Sequence, residues 1–173
     1  MAQKTMSMST IEYTEQFCKL LQFYLFDTPV ENTSQRGKSF KEIGWNGSSR
    51  FQMLERLLKE SSSIEDQNWI FTEIEKLEKL TLIQRDDIQY MVSCYDKGRV
   101  RTMIYAIRNA FAHGSFSRQK NGWYIFENHY RGRLKARMII SEETLLNWIK
   151  LIQSKPEYYT KKKRKKTKNG KAA

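Results

Sequence analysis

The chain has few of the residues that mark several protein classes. Two prolines and eight glycines among 173 residues exclude collagen-like and low-complexity sequences. No apolar run reaches the length of about 18 residues that a membrane-spanning helix needs, so we expect no membrane association. Two cysteines, Cys18 and Cys94, are too few for a disulfide framework, and we expect buried thiols. The first residues lack the apolar core of a signal peptide, which favours a cytoplasmic location.

The apolar content is sufficient for a folded core. Hydrophobic residues make up 39% of the chain and aromatic residues 13%, at a length typical of one domain. We expect a flexible N-terminus over residues 1–9, one folded domain over 10–157 and a disordered Lys/Arg-rich tail over 158–173.

The formal net charge of +12 is unevenly distributed. Residues 1–96 hold 11 basic and 15 acidic side chains, whereas residues 97–137 hold ten basic side chains and one acidic. Residues 158–173 add eight basic side chains and no acid. Such a tail can bind phosphates, act as a nuclear address or only aid solubility. The basic segment inside the domain is the better indication of function, because aromatic residues alternate with its charges.

Helical spacing of apolar residues dominates the chain before residue 114. It predicts helices over 10–26, 48–60, 66–80 and 97–112, and another that begins at Asp86 or Asp87 and carries Ile88, Met91 and Val92.

After Gly114 the apolar period changes from 3.6 to 2, which predicts strands. Asn121-Gly122 predicts a two-residue hairpin loop, and a third strand follows the turn at residues 130–132. In that strand Leu134 and every second residue to Ile140 are apolar, so they are expected to share one face. A closing helix then runs from Ser141 to Pro156. The expected fold is therefore mainly α: a helical bundle with a small antiparallel β-meander, at about residues 115–140, before the last helix.

The segment with the clearest chemical character is 107–116, at the end of the predicted helix 97–112. Its apolar stripe is expected to face the core, and Asn109 and His113 then share the opposite face. Arg108 is separated from His113 by about 140° around the helix axis. One interpretation is a phosphate-binding site. The other is that His113 satisfies carbonyls at the helix end while Arg108 is a solvated surface charge.

Basic and aromatic residues of the charged segment form a candidate RNA-binding surface, because basic groups neutralise phosphates and aromatic faces stack on unpaired bases. A sheet with a basic solvent face is the alternative explanation. The candidate residues are Arg101, Tyr105, Arg118, Lys120, Arg131, Arg133, Lys135 and Arg137. The two histidines and two cysteines show no metal-ligand spacing, so we expect no metal and no cofactor.

The run Arg108-Asn109-x-x-Ala112-His113-Gly114 resembles the signature of the HEPN superfamily, in which an arginine, a polar residue and a histidine end a core helix. The resemblance implies a HEPN-like helical bundle and a metal-independent endoribonuclease of a toxin–antitoxin or phage-defence system. It implies a homodimer in which two motifs line one cleft. Arg108 would stabilise phosphoryl charge, His113 would act as general base or acid, and Asn109 would orient one of them. RNA would be the substrate, and an antitoxin or other regulatory protein a possible partner.

One position departs from that family's pattern. Toxins controlled by a nucleotidyltransferase antitoxin often have a tyrosine two residues after the histidine, where this chain has Ser115. Two other functions stay open. The chain can be a catalytically inactive module that binds RNA or a protein, or a scaffold that makes its contacts through the basic tail.

Overall fold

The computed structural model describes residues 14–29, 38–81, 87–95 and 98–160. Its α-helices are α1 (Glu15–Leu21), α2 (Ser48–Glu60), α3 (Ile74–Thr81), α4 (Arg99–Ala112) and α5 (Glu142–Gln153). Its strands are β1 (Trp69–Thr72), β2 (Tyr90–Cys94), β3 (Phe116–Arg118), β4 (Trp123–Tyr130) and β5 (Arg133–Ser141). Shorter helical segments are the π-helical continuation of α1 (Gln22–Asp27), a 3-10 turn (Asp66–Asn68) and a turn over 156–160.

The strands form one five-stranded mixed sheet in the order β1-β2-β5-β4-β3. β1 and β2 are parallel, and every other neighbouring pair is antiparallel. The predicted helical bundle with a small meander is therefore wrong. The meander is present as β3, β4 and β5, but it is part of a larger sheet that two earlier strands complete.

The error lies in the segments that become β1 and β2. Trp69 and Ile70 were placed on a helix that began at Asp66, and Met91 and Val92 on a helix after Asp86. Tyr90, Met91 and Val92 are all fully buried, because both faces of β2 are covered. A strand buried on both faces reads as a continuous apolar run, which spacing alone does not distinguish from a short buried helix.

Helices cover the two faces of the sheet unequally. The larger core lies on the inner face, where α1, α2, α4 and α5 pack against sheet residues; these are Met91, Tyr124, Phe126, Ala136, Met138 and Ile140. On the outer face, α3 packs against β2 and β5, and its Leu77 is buried with Tyr90, Val92 and Ile139.

Several predicted elements are found where they were expected. The helix at 48–60 is α2, and the helix predicted at 97–112 begins two residues later, at Arg99. α5 starts after Ser141, whose Oγ accepts a hydrogen bond from the backbone N–H of Thr144. The first helix is described from Glu15, with Thr14 as its N-cap, so the predicted start near residue 10 lies outside the described residues.

Two details of the meander differ from the prediction. A register shift at Asn128/His129 pairs His129 with Leu134, so Leu134 packs on the outer face instead of sharing the inner face with Ala136. The first hairpin loop has three residues, 120–122, because the backbone N–H of Gln119 donates to the carbonyl of Trp123. Gly122 supplies the positive φ of 79° that this loop requires.

The two cysteines differ in exposure. Cys18 is exposed and Cys94 partly buried, so the prediction of buried thiols is wrong for Cys18, which lies on the solvent side of α1.

Tyr159, in the turn 156–160, packs against Trp45. The rest of the predicted tail, 161–173, and the predicted flexible segment 1–9 lie outside the described residues. Among the described helices, none has the length and hydropathy of a membrane span.

Candidate functional site

Helix α4 crosses the end of the sheet at which β2 and β4 finish. It begins shortly after β2 ends and is followed by β3, whose Phe116 lies opposite Phe126 in β4. A 14-residue helix is about 21 Å long, more than the width of the four strands β2, β5, β4 and β3. The segments at both ends of α4 join strands at this same end of the sheet. α4 therefore runs across the strands, and one side of it faces away from the core.

The core-facing side of α4 is the predicted one. Met103, Ile104 and Ile107 are fully buried, and Phe111 is packed among the rings of Phe116 and Phe126. With this stripe fixed, the side chains predicted to act on phosphate are directed away from the core or along its margin.

The C-terminus of α4 is closed by its own backbone. His113 is the C-cap, and Gly114 takes a left-handed conformation with φ of 67°. The N–H of Gly114 donates to the carbonyl of Phe111 at 3.3 Å, and the N–H of Ser115 to that of Ala110 at 2.8 Å. This double hydrogen bond is a Schellman motif. The helix-end carbonyls that His113 was considered to satisfy are therefore satisfied by Gly114 and Ser115.

The His113 side chain consequently faces solvent. It is exposed, and within the described ranges no hydrogen bond or ion pair involves its imidazole. An imidazole with no structural partner there is available to a ligand. Histidine also changes its charge near neutral pH, which suits it to proton transfer.

Arg108 and Asn109 are brought together by the structure. Nη1 of Arg108 donates a hydrogen bond to Oδ1 of Asn109 at 3.0 Å, and both side chains are partly buried. The description of Arg108 as a fully solvated surface charge therefore does not fit. The amide of Asn109 fixes one edge of the guanidinium, while His113 lies one turn further along the same helix.

Three of the predicted RNA-binding arginines form ion pairs within the domain. Arg133 contacts Glu75 and Glu78 of α3, with nitrogen–oxygen distances of 3.4 and 3.2 Å. The hydrogen bond to Glu78 raises the pKa of Arg133 above its ordinary value. Arg137 contacts Glu127 on the neighbouring strand at 3.2 Å. These charges are therefore partly neutralised within the domain.

Arg118 belongs to a third ion pair, near the start of α5. Its Nε lies 3.4 Å from Oε2 of Glu142, and the same oxygen accepts a hydrogen bond from the hydroxyl of Tyr124 at 2.8 Å. Burial, and then the bond to Glu142, raise the pKa of Tyr124. The cluster attaches β3 and β4 to α5, so Arg118 has a structural role.

The remaining candidates of the RNA-binding surface lie in three places. Arg101 lies on α4 with its guanidinium 4.4 Å from the centre of the Phe51 ring, and Tyr105 is exposed one turn later. Lys120 is exposed in the β3–β4 loop. Arg131 and Lys135 lie at the β4–β5 hairpin, where both approach the ring of Tyr130.

Sequence reasoning did not identify the acidic partners. Glu75 and Glu78 lie more than fifty residues from Arg133 in the chain, and only the packing of α3 on the outer face brings them close. No local sequence signal indicates such a contact. Among the described residues, no group of three His, Cys, Asp or Glu side chains is placed to hold a metal ion.

Comparisons with known proteins add no family assignment. No protein-family model matches the chain, and no significant match was found among curated proteins or solved structures. The residues of α4 and the surface around them are therefore the features that indicate a function.

Proposed function

We propose that this protein is a metal-independent endoribonuclease that uses Arg108, Asn109 and His113. One observation carries the proposal: the end of α4 exposes an imidazole with no structural partner in the described chain, on the same helix as an arginine held by an amide. The resemblance of this segment to the HEPN signature supports the same chemistry. It supports the site alone, because the helical bundle that the resemblance implied is wrong.

These three side chains, contributed by two copies of the chain, would supply what cleavage by the ribose 2′-hydroxyl requires. His113 accepts the proton of that hydroxyl, and the 2′-oxygen attacks the adjacent phosphorus. The bond from phosphorus to the 5′-oxygen breaks, and this oxygen takes a proton from a second, protonated imidazole. Arg108, oriented by Asn109, stabilises the charge on the phosphoryl oxygens. The products are a 2′,3′-cyclic phosphate and a 5′-hydroxyl, so DNA is not a substrate.

The second imidazole favours a homodimer. The chain has two histidines, and only His113 shares a helix with Arg108. Because Arg108 and His113 are about 140° apart around the axis of α4, one copy presents them in different directions. A two-fold axis beside the end of α4 would place two arginines and two histidines around one phosphate. The exposed side chains of Tyr105 and Ala112 border this surface.

We further propose a cytoplasmic toxin or defence effector under the control of a partner protein. A nuclease that needs no metal or cofactor is active wherever RNA is present, so an antitoxin or another regulatory protein would have to restrain it. Since Ser115 stands where related toxins have a tyrosine, modification of a tyrosine at that position is not the means of control.

A second candidate function is an RNA-binding or protein-interaction module without catalysis. The observation that favours it is the exposed ring of Tyr130 beside Arg131 and Lys135, a surface that needs no His113 to bind RNA.

The two functions differ in an assay with labelled single-stranded RNA in EDTA. We expect wild type to cleave and to leave cyclic-phosphate ends, and His113→Ala to lose at least about 100-fold in rate with RNA binding changed by less than a few-fold. His129→Ala is the matched control, because it removes the other exposed histidine. Binding without cleavage by wild type would favour the inactive module. Loss of activity in His129→Ala alone would make His129 the reacting histidine and overturn the assignment.

A further inference from the structure

The β4–β5 hairpin ends in a backbone conformation that is unusual for its sequence. Tyr130 pairs with Arg133, which leaves the two-residue loop Arg131-Gly132. Both loop residues have positive φ, 50° for Arg131 and 76° for Gly132, as in a type I′ turn. Asn, Asp and Gly adopt the first position of such a turn more readily than arginine does. Among the described non-glycine residues, Arg131 alone has a positive φ.

The strained arginine lies against an exposed aromatic ring. Tyr130 is 55% exposed, and the guanidinium carbon of Arg131 lies 5.1 Å from its ring centre. Nζ of Lys135 lies 5.0 Å from the same centre. Neither cation forms an ion pair within the described part of the chain. An exposed ring beside two such cations matches the chemistry of a nucleotide within RNA, whose flat base is joined to a ribose that has a phosphate on each side.

The hairpin projects from the end of the sheet where α4 carries its functional residues. The backbone N–H of Glu127 donates to the carbonyl of Ser115 at 2.9 Å, two residues after His113. β4 continues from Glu127 to Tyr130, three residues or about 10 Å, beyond the strand that follows α4. Tyr130 and the end of α4 therefore lie toward the same end of the sheet.

We propose that this hairpin tip, Tyr130 to Lys135, is a subsite for an unpaired nucleotide of single-stranded RNA. The base stacks on Tyr130, and Arg131 and Lys135 contact the flanking phosphates. The proposal rests on the proposed function, whose substrate it specifies as single-stranded RNA. In a duplex the bases stack on one another and are not available to Tyr130. The strain at Arg131 is then explained by the placement of its charge beside the stacked base.

The first test measures binding by fluorescence anisotropy, with the full chain and a 2′-fluoro single-stranded oligonucleotide that cannot be cleaved by 2′-hydroxyl attack. We expect Tyr130→Leu to weaken binding about tenfold, because the stacking face is lost. Tyr130→Phe retains the ring and should bind like wild type. Tyr158→Leu is the matched control, since Tyr158 is 56% exposed in the turn 156–160.

The second test separates a binding role from a structural one. Arg131→Asn removes the cation and places a residue that tolerates positive φ in the turn. We expect its melting temperature to equal or exceed that of wild type while its affinity for the oligonucleotide falls several-fold. A purely structural arginine would give unchanged affinity.

The proposal is overturned if Tyr130→Leu binds like wild type, if Tyr158→Leu loses as much affinity, or if duplex RNA binds as tightly as single-stranded RNA. Failure of the proposed function gives a different result. In that case Tyr130→Leu still loses affinity although wild type cleaves no RNA. If wild type cleaves RNA and Tyr130→Leu changes neither binding nor cleavage, the subsite alone is wrong.

Discussion

The backbone at Gly114 closes the end of α4, so the His113 imidazole is not needed for that purpose. Gly114 can adopt its φ of 67° at little cost, and the resulting Schellman motif satisfies the helix end without the imidazole. Sequence reasoning located this glycine and the three polar side chains before it, because helix-end signals are local. It left open whether His113 satisfies the helix carbonyls, since that depends on hydrogen bonds that only the folded backbone shows.

Gly114→Ala tests this arrangement. A Cβ at Gly114 would meet no atom within 4 Å, so the cost comes from the left-handed backbone alone. We expect the free energy of unfolding in urea to fall by about 1 kcal/mol. Gly114→Asn should lose less, because asparagine tolerates this conformation. An alanine variant as stable as wild type would show that Gly114 does not need positive φ.

The ion pairs distinguish basic residues that look alike in the sequence. Arg133, Lys135 and Arg137 alternate along β5, and nothing in the sequence distinguishes Lys135 from the two arginines. In the fold, Arg133 pairs with Glu78 and Arg137 with Glu127, whereas Lys135 has no ion pair with a described residue. Charge patterning therefore identified the basic segment but not which of its charges form ion pairs.

Among the helices and strands, the sequence predicted those in which the helical spacing of apolar residues continues over several turns or the alternation of apolar and polar residues is clear. α2, α4 and α5 were found because each has a buried face and a more exposed face, and the meander was found because of its turn residues and its alternating segments. β1 and β2 were taken for helices, because β2 is buried on both faces and β1 has only four residues. Since β2 pairs with β5, the misassignment changed the fold class as well as two local segments.

α3 provides a test of the corrected fold. Its Leu77 is fully buried against Tyr90 and Val92 on the outer face of the sheet. We expect Leu77→Ala to lower the free energy of unfolding by about 2–5 kcal/mol, because it leaves a cavity between helix and sheet. Lys79→Ala, an exposed position on the same helix, should change it by less than about 0.5 kcal/mol. Equal effects of the two variants in urea unfolding would contradict the packing of α3 on this face.

In the whole molecule, one end of the sheet carries the features to which the proposed function assigns the binding and cleavage of RNA. α4 crosses there with Arg108, Asn109 and His113, and the hairpin carrying Tyr130 projects from the same end. The carboxylates of α3 lie on the outer face and pair with Arg133. The sequence showed that residues 97–137 are basic. Only the fold separates the charges that are paired on the outer face from the candidate site at the end of the sheet.

The central claim is that two copies of the chain together form one RNA-cleaving site. The most direct measurement mixes wild type with a threefold excess of His113→Ala under conditions in which subunits exchange, and follows cleavage of single-stranded RNA in EDTA. After random exchange about three quarters of the wild-type subunits are in mixed dimers, which keep one His113 and lack the second imidazole. Activity should therefore fall to about a quarter of that of the same amount of wild type alone. Activity that does not change on mixing would contradict the shared site.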